Sequence, residues 1–183
     1  EAKVDGINTF SNRRGRILDT IKEYSPDIIG FQEANDNMRE WLIDSLSDYT
    51  VVGCGRLADW RGESTVLAFK KHMFEMISLE NHWLSATPDI PASTFGGDQS
   101  SCPRIFTAVC LKHREASAPF IFLNTHLDHK GATARLLGAV EIMQYLSGKG
   151  LHFVVTGDMN ALPGTAEIAA FTSFAPCGRP VID

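Results

Sequence analysis

The run Thr156-Gly157-Asp158-Met159-Asn160 follows directly on the apolar stretch 151–155, so an acid and an amide stand two residues apart where a buried strand runs out. A second apolar stretch, 119–123, leads into Asn124-Thr125-His126-Leu127-Asp128-His129, and a third, 27–31, into Gln32-Glu33. Carboxylate, amide and imidazole are side chains that move protons, position water and hold hard cations through oxygen. In layered α/β architectures, ligands collect at the carboxyl ends of strands, where a turn points polar groups into a cleft without burying them unpaired. Three apolar stretches that each end in such a group predict one polar cleft, because as packing features each would need a separate explanation.

The elements that must position these clusters are legible from periodicity. Ile17, Leu18, Ile21 and Tyr24 lie at helical spacing and stop at Ser25-Pro26, after which 27–31 reads as a buried strand. Asn35 can cap a second helix with the apolar stripe Met38, Trp41, Leu42 and Leu46. Strands are predicted at 49–53, 64–70, 74–79, 104–112 and 119–125, and short strands in series favour antiparallel pairing. A helix over 134–146, marked by Leu136, Val140 and Met143, precedes the strand 151–155, and 165–171 reads as a last helix. The start of the chain reads as polar and irregular. Helices and strands from both halves of the chain predict an α/β fold with two packed, mixed or antiparallel sheets flanked by helices, a four-layer sandwich.

With 183 residues, of which 44% are hydrophobic, the chain forms a single domain, 1–183, with a sizeable core. The formal net charge is −5 and no lysine- or arginine-rich block occurs, which excludes a protein held to DNA mainly by a broad basic face. A cation in the cleft supplies positive charge locally, so phosphate and nucleic acid stay within reach of an acidic protein. Cys54, Cys102, Cys110 and Cys177 are too widely spaced for a zinc knuckle or a redox motif and read as free or buried thiols. No apolar run reaches membrane-spanning length and no signal peptide opens the chain. Glu1 in place of a methionine leaves two locations open for a soluble protein, the cytoplasm and export after removal of a leader.

Four segments together carry a resemblance: Pro26-Asp27-Ile28-Ile29-Gly30-Phe31-Gln32-Glu33, Gly62-Glu63, Asn124-Thr125-His126-Leu127-Asp128 and Gly157-Asp158-Met159-Asn160. In this order, at strand ends, they resemble the endonuclease/exonuclease/phosphatase superfamily over residues 16–171. Trp83-Leu84-Ser85-Ala86-Thr87-Pro88 and Pro103-Arg104 look most like its bacterial members. The resemblance implies hydrolysis of a phosphoester by water attack on phosphorus, with Mg²⁺ or Mn²⁺ as cofactor. Nucleic acid, phospholipid or a small phosphoester is the implied substrate, and a monomer is expected. Such a reaction needs charge neutralisation at the phosphoryl oxygens, a positioned water and a stabilised leaving oxygen, and hard oxygen ligands suit Mg²⁺. By resemblance Glu33 is the metal ligand, Asp158 orients or deprotonates the attacking water and Asn160 donates to the scissile phosphate. His126 resembles the phosphate-facing histidine, with Glu63 fixing its tautomer and favouring the imidazolium. Arg104 reaches a phosphate as a bidentate donor or pairs with an acid. Asp128 and His129 brace the loop or contact substrate.

Two other readings compete. His126-x-Asp128-His129 resembles the end of the His-x-His-x-Asp-His motif of binuclear zinc hydrolases, but Asn124 stands at the first histidine position and no other histidine cluster occurs. A catalytically inactive scaffold or interaction module of the same fold gains weight from the two ends. The superfamily normally opens with a strand ending in an asparagine of the metal site and closes with an Asp-His pair; the polar opening segment and Pro180-Val181-Ile182-Asp183 supply neither. The expectation is a domain incomplete at both ends, active as the complete protein, whose 183-residue form binds divalent metal weakly and is inactive.

Overall fold

The computed structural model describes residues 3–173. Glu1, Cys177 and the stretch 180–183 lie outside the described residues.

The opening that the sequence reads as irregular is a 3-10 segment, Lys3–Asn8, broken by a non-helical Gly6 (φ 48°, ψ −121°), and it leads into helix α1 (Phe10–Tyr24). Ser25 ends that helix in the left-handed region (φ 42°), its N–H donating to the Ile21 carbonyl at 2.8 Å. Strand β1 (Ile28–Gly30) follows, then α2 (Asp36–Ser45), capped as predicted by Asn35, whose Oδ1 accepts from the Met38 amide at 3.1 Å. Strands β2 (Tyr49–Val52) and β3 (Leu67–Lys70) complete an antiparallel sheet of order β1-β3-β2. A second sheet of order β4-β5-β6-β7 is built from β4 (Phe74–Trp83), β5 (Ile105–His113), β6 (Phe120–His126) and β7 (His152–Asp158). Its pairs are antiparallel except β6-β7, which is parallel because helix α3 (Ala132–Lys149) carries the chain back between them. Helix α4 (Ala166–Ser173) packs next to α3.

Two strand bounds depart from the sequence reading. β3 starts at Leu67 and not at 64, because Ser64 donates both its N–H and its hydroxyl to the Ala34 carbonyl, at 2.9 and 2.6 Å, and so leaves the ladder. β4 runs on past 79 to Trp83, since it stays paired to β5 along its length and absorbs one irregularity between Met76 and Ser78. The polar residues Glu80, Asn81 and His82 hide that extension in the sequence.

Side-chain alternation sorts the residues into layers. Leu67 and Phe69 of β3 pack against Val109, Leu111 and Phe122 between the sheets, while Val66 and Ala68 turn the other way onto Leu42 and Leu46, with Leu18 and Ile21 of α1 alongside. On β6, Phe122 faces the first sheet and Ile121 and Leu123 face Ala139, Ile142 and Met143 of α3. The resulting order is helix, sheet, sheet, helix, the α/β sandwich read from the sequence.

One buried amide crosses the space between the sheets. Asn124 of β6 donates Nδ2 to the carbonyls of Phe31 (2.8 Å) and Val66 (3.1 Å) in the first layer. Its Oδ1 accepts from Gln32 Nε2 (2.7 Å) and from Thr156 Oγ1 of β7 (3.1 Å). Phe31, Asn124 and Thr156 each lie two residues before one of the polar strand ends Glu33, His126 and Asp158. The approach is close enough that a Cβ at Gly30 would meet Asn124 Oδ1 and Thr156 Oγ1 at 2.6 Å.

Candidate active site

The parallel register of β6 and β7 sets His126 directly beside Asp158, and the Leu127 amide donates to the Asp158 carbonyl at 2.9 Å, which holds the two strand ends together. Side chains at partnered positions of neighbouring strands share a face. Here His126 Nε2 lies 3.7 Å from Asp158 Oδ2. Asp158 Oδ1 accepts from the Asn160 amide at 2.9 Å, an Asx turn, so one carboxylate oxygen shapes the loop while the side chain stays 52% exposed to the cleft. Asn160 sits in the left-handed region (φ 47°) and donates Nδ2 to the Leu127 carbonyl at 3.0 Å, which fixes its amide plane beside Asp158.

Each residue of this pair lines a depression. The larger, about 670 Å³, is walled by Gln32, Asp158, Asn160, Leu162, Pro163 and Ile168. The smaller is lined by Glu33, Arg56, Glu63, Arg104 and His126, among others. Glu33 reaches it from the end of β1 through a left-handed backbone (φ 59°), a conformation uncommon outside glycine, asparagine and aspartate and kept by its surroundings. The three predicted strand ends thus converge on one cleft, and Glu63 and Arg104 join them.

Electrostatics correct the predicted partnership of His126 and Glu63. Glu63 closes on Arg56 Nη1 at 2.7 Å, and the charges that act most on His126 are Arg104 and Asp158. Burial pushes the imidazole below its ordinary 6.5 and the Arg104 charge adds to the depression, against the opposing pull of Asp158, Glu33 and Glu63. The imidazolium that the sequence reading favours is thus disfavoured here, because this side chain is only 8% exposed and the Arg104 charge opposes it more strongly than any one carboxylate supports it.

Asp128 and His129 stand behind Arg104, which lines the cleft. Arg104 Nη2 donates to His129 Nδ1 at 2.8 Å, and its Nε lies 3.7 Å from Asp128 Oδ2. Asp128 is buried and accepts from the Lys130 (2.9 Å) and Gly131 (2.8 Å) amides, from the Ser100 amide, and from the Ser100 hydroxyl at very short range. Burial works to raise its carboxyl, but those donors outweigh it and hold the group well below the usual carboxylate range. Of the two roles the sequence left open for Asp128, bracing is the observed one: its oxygens are spent on the protein. The same saturation, with Asn124 committed to two backbone carbonyls, removes the binuclear zinc reading.

Sequence reasoning missed Arg56, Ser100 and the seam of Asn124 with Thr156. Arg56 is one arginine among several in a polar loop, and Ser100 lies in a loop with no periodic signal; only three-dimensional proximity marks them. Cys54, Cys102 and Cys110 are free thiols, as read. No helix among the described residues is long and apolar enough to cross a membrane.

Comparison with known proteins places this geometry. The model of the family described as "Endonuclease/Exonuclease/phosphatase family" matches residues 5–183. An endonuclease/exonuclease/phosphatase from Bacteroides vulgatus has a solved structure that is 30% identical and superposes with a TM-score of 0.87, covering 94% of this chain and 67% of that one. A mannosyl-6-phosphatase of Bacteroides thetaiotaomicron VPI-5482 is 27% identical with the same TM-score, over 94% of this chain and 66% of the other. An uncharacterized protein of Acanthamoeba polyphaga mimivirus is 26% identical over 161 residues, 84% of this chain and 60% of the viral protein. The chain thus spans about two thirds of the length of these relatives.

Proposed function

This chain belongs to the endonuclease/exonuclease/phosphatase family, and on that premise we propose that it carries a divalent-metal-assisted phosphoester hydrolysis site built on Glu33, His126 and Asp158. The observation that carries the reading is the convergence of three strand ends, from both sheets, on one cleft with a carboxylate, an imidazole and a carboxylate in it. The donor set fits a hard cation, since Glu33, Glu63 and Asp158 offer carboxylate oxygens to the cleft. Among the described residues no three His, Cys, Asp or Glu side chains form a full ligand set, so Glu33 would hold Mg²⁺ or Mn²⁺ with water completing the shell, a mode Mg²⁺ favours. Such a cation supplies charge neutralisation at the phosphoryl oxygens.

The chain's own groups account for the rest. Asp158, fixed through Oδ1 and open at Oδ2, orients a water for attack on phosphorus and takes its proton. His126 beside it, its imidazolium disfavoured by burial, donates a hydrogen bond to a phosphoryl oxygen. Asn160, held by Leu127 and lining the same depression as Asp158, carries a second amide proton that can serve the phosphate. Glu63 keeps Arg56 in the wall. The likeness to a mannosyl-6-phosphatase supports small sugar phosphates as the first substrates to try, beside nucleic acids and phospholipids.

The test is turnover of these classes by the complete protein with Mg²⁺ or Mn²⁺. Asp158→Asn is expected to lower kcat by about 10³-fold or more with metal affinity largely kept, because positioning and electrostatics supply most phosphoryl-transfer catalysis. Glu33→Ala is expected to weaken the metal. Rescue of the Asp158 variant by excess metal, with none for the Glu33 variant, reverses the assignment; absence of turnover on every class ends the proposal.

A further inference from the structure

Arg104 is 5% exposed, yet its guanidinium has an incomplete set of partners. Nη2 donates to a neutral acceptor, His129 Nδ1, at 2.8 Å, while Nε is buried without a hydrogen-bond partner. Asp128 stands 3.7 Å from that Nε, too far to accept from it. The reason lies on Asp128 itself, because Ser100, Lys130 and Gly131 already occupy both its oxygens. An arginine kept only to neutralise a buried acid closes on it with two short parallel bonds. Arg56, on the same wall, behaves more like that and meets Glu63 at 2.7 Å. Arg104 is instead oriented from behind without being discharged, and its charge acts on His126, which lines the same depression.

We propose that Asp128 and His129 are positioning residues that hold the Arg104 guanidinium at the cleft wall as the binding element for the phosphoryl oxygens of the substrate. The inference rests on the phosphoester reading above and adds to it which groups set ground-state affinity. Accepting at Nδ1 makes His129 the tautomer protonated at Nε2, so its contribution is a lone pair in a fixed place. Asp128 contributes charge, anchored by four groups of the surrounding loop, and sets the height of the guanidinium without capturing it.

The experiment uses the complete protein, inorganic phosphate as the binding probe and 4-nitrophenyl phosphate for turnover. His129→Phe keeps a ring and removes the acceptor; His129→Gln restores an acceptor. The expected result for His129→Phe is a rise of about tenfold in both the phosphate Kd and KM, with kcat within about threefold of wild type. His129→Gln is expected to bring both back to within about threefold. Unchanged phosphate affinity in His129→Phe overturns the proposal, and so does a fall in kcat at constant KM. Should His129→Phe fail to fold, ¹⁵N spectra of the wild-type arginine Nε–H groups decide: a shift of the Arg104 signal on adding phosphate supports the proposal and a fixed signal overturns it. Weakened phosphate binding by His129→Phe in a protein that turns over no phosphoester upholds the positioning and removes the hydrolase reading; normal turnover with unaltered phosphate affinity does the reverse.

Discussion

Replacing Asn124 tests whether one buried amide sets the distance between the polar strand ends. The residue is fully buried and bonds to Phe31, Val66 and Gln32, which flank strands of the first sheet, and to Thr156 of the second. In Asn124→Leu the losses are unequal. The Val66 carbonyl keeps the Phe31 amide at 2.8 Å, the Thr156 hydroxyl keeps the Leu123 carbonyl at 3.4 Å, and Gln32 lines the cleft, where water can serve it. The Phe31 carbonyl loses its donor. One buried group left unpaired costs about 1–3 kcal/mol and two weakened ones add a fraction each, so the expected loss is about 2–4 kcal/mol. Asn124→Asp keeps the shape and the acceptor but turns a carboxylate on two carbonyls. Its folded pKa is raised above the unfolded value, so stability present at low pH is lost as pH rises through the folded pKa. Urea unfolding at about pH 5 and about pH 8, compared at equal m, reads both effects. A Leu variant within about 0.5 kcal/mol of wild type, or an Asp variant whose deficit ignores pH, would refute the reasoning.

His126 is expected to titrate below 6.5 in NMR spectra; Asp158→Asn should lower the midpoint further and Glu63→Gln should move it less, and a wild-type midpoint above 6.5 contradicts the burial argument. Glu141 accepts only from the Ser85 amide at 3.1 Å, its Oε1 is unpaired, and burial pushes its carboxyl up to about 7. Its folded pKa exceeds the unfolded value of 4.5, so stability is present below that and lost as pH rises towards 7. Glu141→Gln should therefore raise Tm at about pH 8 and leave it unchanged near pH 4, and equal melting at both values would show the group is better solvated. Gly30→Ala places a Cβ 2.6 Å from Asn124 Oδ1 and Thr156 Oγ1 and should cost about 1–3 kcal/mol, seen as a Tm fall of several degrees; an unchanged Tm would mean the sheets part easily.

The layers and the strand ends were legible in the sequence because each depends on local periodicity. Leu67, Phe69, Phe122 and Leu123 alternate as buried strands do, and the polar residues that break the pattern, Glu33, His126 and Asp158, lie in one cleft. The pairing within the cleft was not legible. Glu63 goes to Arg56 because the loop 55–63 folds back on itself, with the Arg56 amide donating to the Glu63 carbonyl at 3.0 Å, and no spacing rule encodes that turn. The depressed imidazole of His126 depends first on its burial and then on Arg104, 22 positions away by residue number (126 − 104) and brought near by the β5-β6 pairing. Asn124 read as a failed zinc ligand until its four partners were seen.

The seam at Asn124 makes the cleft a long-range object. Glu33, Glu63, Arg104, His126 and Asp158 come from separate stretches of the chain, and no single hairpin or helix holds two of the three strand ends except through the α3 crossover. Closing contacts between such distant residues is entropically slow, so the cleft forms late in folding, when the two sheets dock. Loss of either sheet dissolves it whole. Any activity of the complete protein is therefore expected to fall in denaturant along the same curve as the global fold, so that turnover counts the molecules whose sheets are docked.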